Sequence, residues 1–205
     1  MRVTDGKLIV ISGASRCGKT ALTKQLVASH GRLIVWDIED QFGDLCDAVA
    51  YKIKDLYALI KEGKQKKIRF VAAKNIREEF ENWANCVMLA ALEHGNIAAI
   101  AEELADVTSV SKAGQNWGML CRRGLKRGVT IYAISQRWQE ADKTALGNAS
   151  AMMVFRQSSG SDDQYIAKAS GCAVADVAAL RPLEYLYCDK VARKITKKRV
   201  IFTKN

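Results

Sequence analysis

The chain has 205 residues, 49% of them hydrophobic, which is enough for one well-buried domain and too few for two ordinary ones. A formal net charge of +10 points to an anionic partner such as DNA or RNA, while six scattered cysteines without a C-x-x-C pair argue against a zinc site or a disulfide framework. With only His30 and His94, histidine chemistry has little to work with, and the absence of an apolar stretch near about 18 residues or of a signal-type core after Arg2 and Asp5 predicts a soluble, non-secreted protein with reduced thiols.

In chain order, the apolar run Lys7 to Ser12 predicts a buried strand, and Lys19 to Ser29 a helix. Between them, Gly13-Ala14-Ser15-Arg16-Cys17-Gly18-Lys19-Thr20 fits G-x-x-x-x-G-K-[ST], the phosphate-binding loop, in the required strand, loop and helix order. The glycines let backbone N–H groups turn toward the phosphates, Lys19 reaches the β and γ oxygens, and the Thr20 hydroxyl ligates Mg²⁺. ATP is thus the expected ligand of Gly13 to Ala21. Strands follow at Leu33 to Asp37 and Ile68 to Ala72, with helices at Asp55 to Glu62 and Arg77 to Glu93. The segment Lys61 to Arg69 reads as a basic surface turn and a lesser candidate for nucleic-acid contact.

Ile97 to Ala101 is a strand of small apolar residues ending in Glu102-Glu103, which resembles a Walker B segment. Glu102 is then the carboxylate that holds Mg²⁺ and Glu103 the base that deprotonates the attacking water. The alternative is that both glutamates open a solvated helix, Glu102 to Asp106. A helix from Ala113 to Arg127 carries Arg122, Arg123, Lys126 and Arg127, and the strand Thr130 to Ser135 ends in Gln136, placed to touch both the γ-phosphate and the water. The strand Met152 to Phe155 leads into Arg156. Helices Asp162 to Ala169 and Val174 to Leu180 and a strand pair near Tyr185 to Cys188 and Arg199 to Phe202 complete the chain. Pro182 is the one proline, and no linker or repeat divides the sequence, so residues 1–205 read as one α/β P-loop NTPase domain. Its mainly parallel sheet has helices on both faces, with a core at about 7–157 and a C-terminal β extension at about 158–205.

The loop at Gly13, the acids Glu102 and Glu103, the Arg-rich helix with its glycine, and the strand ending Ser135-Gln136-Arg137 together resemble the FtsK/HerA superfamily of DNA-pumping ATPases. The small size is most similar to the genome-packaging ATPases of membrane-containing icosahedral viruses of the tectivirus type. The resemblance runs from Lys7 to Gln157 and extends to Phe155-Arg156-Gln157 followed by Asp162-Asp163. Glu102 stands where that family more often has Asp, and Trp138 where Pro often follows. The resemblance implies a RecA/ASCE-like fold and a motor that moves double-stranded DNA without reading sequence, with a preformed capsid as the expected destination. It also implies a homo-oligomeric ring, usually a hexamer, with an arginine acting in trans: Arg156 first, with Arg122, Arg123 and Arg127 as alternatives. A capsid or membrane vertex protein is a further implied partner, and the host cytoplasm, with virion association, the implied location. Lys112, Lys126 and the Arg122-Arg123 pair are the candidates for tracking phosphates, with the tail from Lys190 to Asn205, which holds seven basic residues and no carboxylate. A Zot-type assembly ATPase moving a protein or nucleoprotein is the alternative, and a small-molecule P-loop kinase a more distant one.

Overall fold

The computed structural model describes residues 5–202, so Arg2 at the start and Lys204 in the basic tail lie outside the described residues. Nine strands form one sheet: β1 (Leu8–Ser12), β2 (Leu33–Trp36), β3 (Ala48–Ala50), β4 (Lys67–Phe70), β5 (Ile97–Ala101), β6 (Val129–Ser135), β7 (Ala151–Phe155), β8 (Glu184–Asp189) and β9 (Lys194–Arg199). Their order is β3-β4-β2-β5-β6-β1-β7-β8-β9. The first seven pair in parallel, whereas β8 and β9 are antiparallel additions, so the expected C-terminal β extension is present. The central strands are apolar throughout because helices or loops cover them on both sides; all five residues of β5 and of β7 are buried.

The two faces are covered unequally. Helix α1 (Lys19–Val27) packs Leu22 and Val27 on Ile11, Leu33, Val35 and Ile134 on one face. The other face carries α2 (Ile53–Glu62), α3 (Ile76–His94), the short α4 (Leu104–Val107), α5 (Gln115–Met119), α6 (Lys143–Asn148), α7 (Gly160–Ser170) and α8 (Val174–Ala178). An aromatic knot of Trp36, Phe70, Phe80, Trp83 and Trp117 fills the space under α3, with ring centroids 5.2–6.2 Å apart. Both histidines make contacts within the fold: His30 Nε2 lies 3.0 Å from the Tyr132 hydroxyl, and His94 Nε2 donates to the Ile60 carbonyl at 2.9 Å.

Several expected elements are corrected. The helix expected from Ala113 to Arg127 starts at Gln115 and loosens into a π stretch, Leu120–Gly124, and a 3₁₀ turn, Leu125–Arg127. Gly124 allows the tight packing there, since a Cβ on it would lie 2.9 Å from Leu120 Cδ1, and Gly128 stops the turn at φ 80°. The last strand is not Arg199 to Phe202 but Lys194–Arg199, a charged segment that pairs along all of β8. Its lysines are typical of a protected sheet edge, and they hide it from a search for apolar runs. The other edge strand, β3, and helix α6 were not expected. The basic turn from Lys61 to Arg69 is largely neutralised: Lys61 pairs with Glu93, Lys64 with Glu62, and Arg69 turns inward to Asp37 and Asp40.

Candidate active site

The site is assembled at the C-terminal edge of the parallel strands, where register aligns three strand ends. Ser12 lies opposite Ser135, and Ala101 opposite Ala133, so the loop after β1, Gln136 after β6 and Glu102-Glu103 after β5 share one edge. One strand, β6, separates β1 from β5 in the sheet.

The phosphate loop is held from both sides. The Ala14 N–H donates to the Arg156 carbonyl of β7's exit at 2.8 Å, and the Leu183 N–H donates to the Cys17 carbonyl at 3.1 Å. A Cβ at Gly13 would stand 2.6 Å from Phe155 Cβ and 2.7 Å from Cys17 Sγ, and Gly18 opens α1 at φ 113°, so neither position accepts a side chain. Lys19 is buried, and its ammonium donates to the Gly13 and Ala14 carbonyls at 2.8 and 2.9 Å across the curve of its own loop. Phosphate oxygens are the natural replacement for those carbonyls. The Thr20 hydroxyl donates to Gln41 Oε1 at 2.9 Å. Cys17 is buried, and burial raises its thiol pKa despite the nearby charges of Lys19 and Arg156, so it stays an inert packing residue.

Opposite the loop, Glu102 is only 4% exposed, and its Oε2 has no hydrogen-bond partner. Burial first, then the charges of Asp37, Glu103 and Glu39, push its pKa up to about 8, with Lys19 opposing. A buried acid with an unpartnered oxygen, close enough to the phosphate loop to feel the charge of Lys19, is a hard-oxygen donor suited to Mg²⁺. Among the described residues no group of three or more His, Cys, Asp or Glu is arranged to hold a metal ion. Glu103 does not begin a regular helix. It caps α4 in the left-handed region, φ 44° and ψ 55°, and this turn aims its Oε1 at Gln136, whose Nε2 donates to it at 2.8 Å. Glu103 and Gln136 line a cleft of about 240 Å³ with Glu39, Asp106, Arg137 and Ser158.

Two residues, Asp37 and Gln41, escaped the sequence reading of the site. Asp37, at the end of β2 and fully buried, accepts from the Gln41 and Phe42 N–H groups at 2.7 and 3.1 Å and from Arg69 Nη1 at 3.2 Å. It thereby folds the loop that brings Gln41 to Thr20 and Glu39 to the cleft. An acid closing an apolar strand was the only signal, and it belongs to no motif. The arginines separate spatially: Arg156 stands exposed beside its own phosphate loop, near enough to act on Cys17, whereas Arg122 and Arg123 line an open cleft of about 840 Å³ with Lys112, Gln115 and Thr144. That cleft belongs to the helical layer on the face opposite α1. Arg127 is exposed at the end of the 3₁₀ turn.

Comparison with known proteins found no matching family model. Protein P9 of Pseudoalteromonas phage PM2 is 34% identical over 139 residues, which make up 66% of this chain and 62% of P9, so the chain spans under two thirds of that relative's length. Among solved structures, the genome packaging NTPase B204 of Sulfolobus turreted icosahedral virus 2, in complex with ATP-gammaS, matches at TM-score 0.80 and 16% identity, over 96% of this chain and 98% of that one. The bacterial conjugative coupling protein TrwBdeltaN70 matches at TM-score 0.68 and 12% identity, over 96% and 86%. The likeness extends over the whole architecture: the chain has the P-loop NTPase fold seen in the genome packaging NTPase B204 and in the coupling protein TrwBdeltaN70.

Proposed function

We propose that the chain hydrolyses ATP and uses the reaction to move double-stranded DNA, irrespective of sequence, into a preformed viral capsid. One observation carries this reading: Lys19, Gln136 and the Glu102-Glu103 pair, from three neighbouring strands, meet at one sheet edge around a loop shaped for phosphates. The likeness to protein P9 of phage PM2 and to B204, a genome packaging NTPase, supports it.

In this reading the loop's N–H groups and Lys19 bind the β- and γ-phosphates. Glu103 accepts the proton of the attacking water as its oxygen bonds to the γ-phosphorus and the bond to the ADP oxygen breaks. Gln136 holds Glu103 in place and reaches the water. Thr20 and Glu102 would hold Mg²⁺, which neutralises phosphate charge when bound. Copies of the chain form a ring, a hexamer by family resemblance, in which Arg122, Arg123, Arg127 or Arg156 completes a neighbour's site; a capsid or membrane vertex protein recruits the ring in the host cytoplasm. The cleft of Lys112, Arg122 and Arg123 offers cations without base-reading groups, suited to tracking a phosphate backbone.

The test is phosphate release with and without double-stranded DNA. DNA should stimulate hydrolysis at about 50 mM salt, with the stimulation fading steeply toward about 200 mM as counterion release loses its drive. Charge reversal at Arg122 and Arg123 should reduce the stimulation and spare ATP affinity. If DNA neither binds nor changes the rate of the assembled protein, the reading loses to a protein-moving assembly ATPase, and phosphoryl transfer to a small acceptor would establish a kinase instead.

A further inference from the structure

The phosphate site fixes which way a bound nucleotide must run. Its γ end faces Glu102, Glu103 and Gln136, on the β5 and β6 side of β1. The rest of the molecule therefore leaves the loop on the opposite side, toward β7, β8 and β9. There Leu183 and the buried Val200 pack into the core under α1, and the chain around them runs back against the phosphate loop. Leu183 enters β8 in the left-handed region, φ 68°, an unfavourable conformation for leucine, while donating its N–H to the Cys17 carbonyl of the loop. Past β9, the Val200 N–H donates to the Leu183 carbonyl at 2.9 Å. Leu183 Cδ2 and Val200 Cγ2 would stand 3.0 and 3.5 Å from a Cβ on Gly18, so this strap lies directly against the phosphate loop. The next residue, Ile201, is tied to α1 through its carbonyl, which accepts from Gln25 Nε2 at 2.9 Å.

The strap is thus pinned at both the loop and the helix, yet it leaves the Ile201 and Phe202 side chains 73% and 62% exposed. Two adjacent large apolar side chains held in water beside a phosphate loop are costly unless something covers them.

We propose that Ile201 and Phe202, with Leu183 beneath, form the base-binding subsite of the nucleotide whose phosphates the loop holds. This rests on the ATP reading above. The occupant follows from continuity, because a nucleoside is the part of the molecule that must emerge on this side. An aromatic and an aliphatic side chain offer a flat apolar contact to any base, so purines should bind better than pyrimidines and adenine little better than guanine. Through Leu183 and the Cys17 carbonyl, the same strap couples base occupancy to the shape of the loop.

The test compares ATP, GTP, CTP and inorganic tripolyphosphate, each with Mg²⁺, by calorimetric titration of the full chain. Phe202→Ala should raise the Kd for ATP and GTP by roughly 5- to 100-fold and leave tripolyphosphate binding unchanged. Gln25→Ala, which frees the strap from α1, should act in the same direction. The emission of a Phe202→Trp variant, against the background of four native tryptophans, should change with ATP and not with tripolyphosphate. Equal losses for ATP and tripolyphosphate, or no loss for either, would overturn the subsite. A shift in oligomeric state on size-exclusion with intact ATP affinity would assign the strap to a subunit contact and overturn it too. If the wild-type chain binds neither probe, the phosphate-loop reading itself fails, an outcome distinct from any of these.

Discussion

The contact between Glu103 and Gln136 allows a double-mutant cycle that tests whether the two residues act as one unit. Glu103→Gln keeps the size and polarity of the side chain and removes the base, so single-turnover hydrolysis should fall by about 10²- to 10⁴-fold while ATP binding persists. Gln136→Ala removes a hydrogen bond of 2.8 Å to a carboxylate that is only half-buried. Bonds to charged groups are worth about 1.5–3 kcal/mol, and at partial exposure the lower end applies, which corresponds to roughly tenfold in rate. If Gln136 works by holding Glu103, the double variant should be no slower than Glu103→Gln alone, a coupling of about 1.5 kcal/mol. If Gln136 stabilises the phosphate independently, the losses should multiply. Glu103→Gly supplies a control, since it relieves a left-handed backbone that costs a non-glycine residue about 1 kcal/mol. That variant should be inactive without loss of thermal stability. Phosphate release from Glu103→Gln within about threefold of wild type would refute the assignment of the base.

Three further outcomes are expected. An Arg156→Ala chain mixed into wild type should lower activity in simple proportion if Arg156 serves its own site, and more steeply than dilution if it serves a neighbour's; the same series on Arg122, Arg123 and Arg127 identifies the arginine acting in trans. Asp142, 1% exposed, caps α6 by accepting from the Thr144 N–H at 2.6 Å and also accepts from Trp117 Nε1 at 2.7 Å, so Asp142→Ala should cost about 2–4 kcal/mol in urea denaturation from a lost cap plus an orphaned indole, and a loss below about 1 kcal/mol would contradict that. His30 has its pKa lowered by burial and then by Lys67, so the unfolded chain takes up its proton first and stability should fall as pH drops below about 6.5; His30→Gln should remove that part of the acid loss in denaturation midpoints measured between about pH 7 and 5.

What the sequence made legible was the part that local rules determine. The phosphate loop needs two glycines, a lysine and a threonine at fixed spacing between a strand and a helix, and all of those are written in eight consecutive residues. The buried parallel strands announce themselves as apolar runs because they are covered on both faces. What stayed hidden depends on distant partners. The strand Lys194–Arg199 has five charged or polar residues in six and exists because β8 offers it a complete ladder. The break in the helix after Met119 follows from packing at Gly124, and a helical period in the sequence does not report it. Gln41 reaches Thr20 only because Asp37 folds the intervening loop, an arrangement built from three backbone and side-chain contacts that no spacing encodes.

The charge distribution bears on how the nucleotide must arrive. The chain as a whole is strongly basic, yet the sheet edge carrying Glu102 and Glu103 also gathers Asp37 and Glu39. Asp37 already has Arg69, and Glu103 has the Gln136 amide, but Glu102 has a bare oxygen and a pKa pushed up by its burial and its neighbours. A triphosphate without a metal would add several negative charges to that cluster, and Lys19 alone does not offset them. Under the proposed mechanism the carboxylates would act as a filter: they would penalise the free nucleotide and favour its Mg²⁺ complex, whose cation Glu102 would receive on losing its proton. At a pH above about 8, where Glu102 is charged, Glu102→Gln would remove its share of the filter together with the ligand. Affinity for metal-free ATP should then rise relative to wild type while hydrolysis is lost, and binding titrations in the presence of chelator would read the difference. A fall in metal-free affinity would show that Glu102 supports the loop by packing, and the electrostatic account of this site would have to be abandoned.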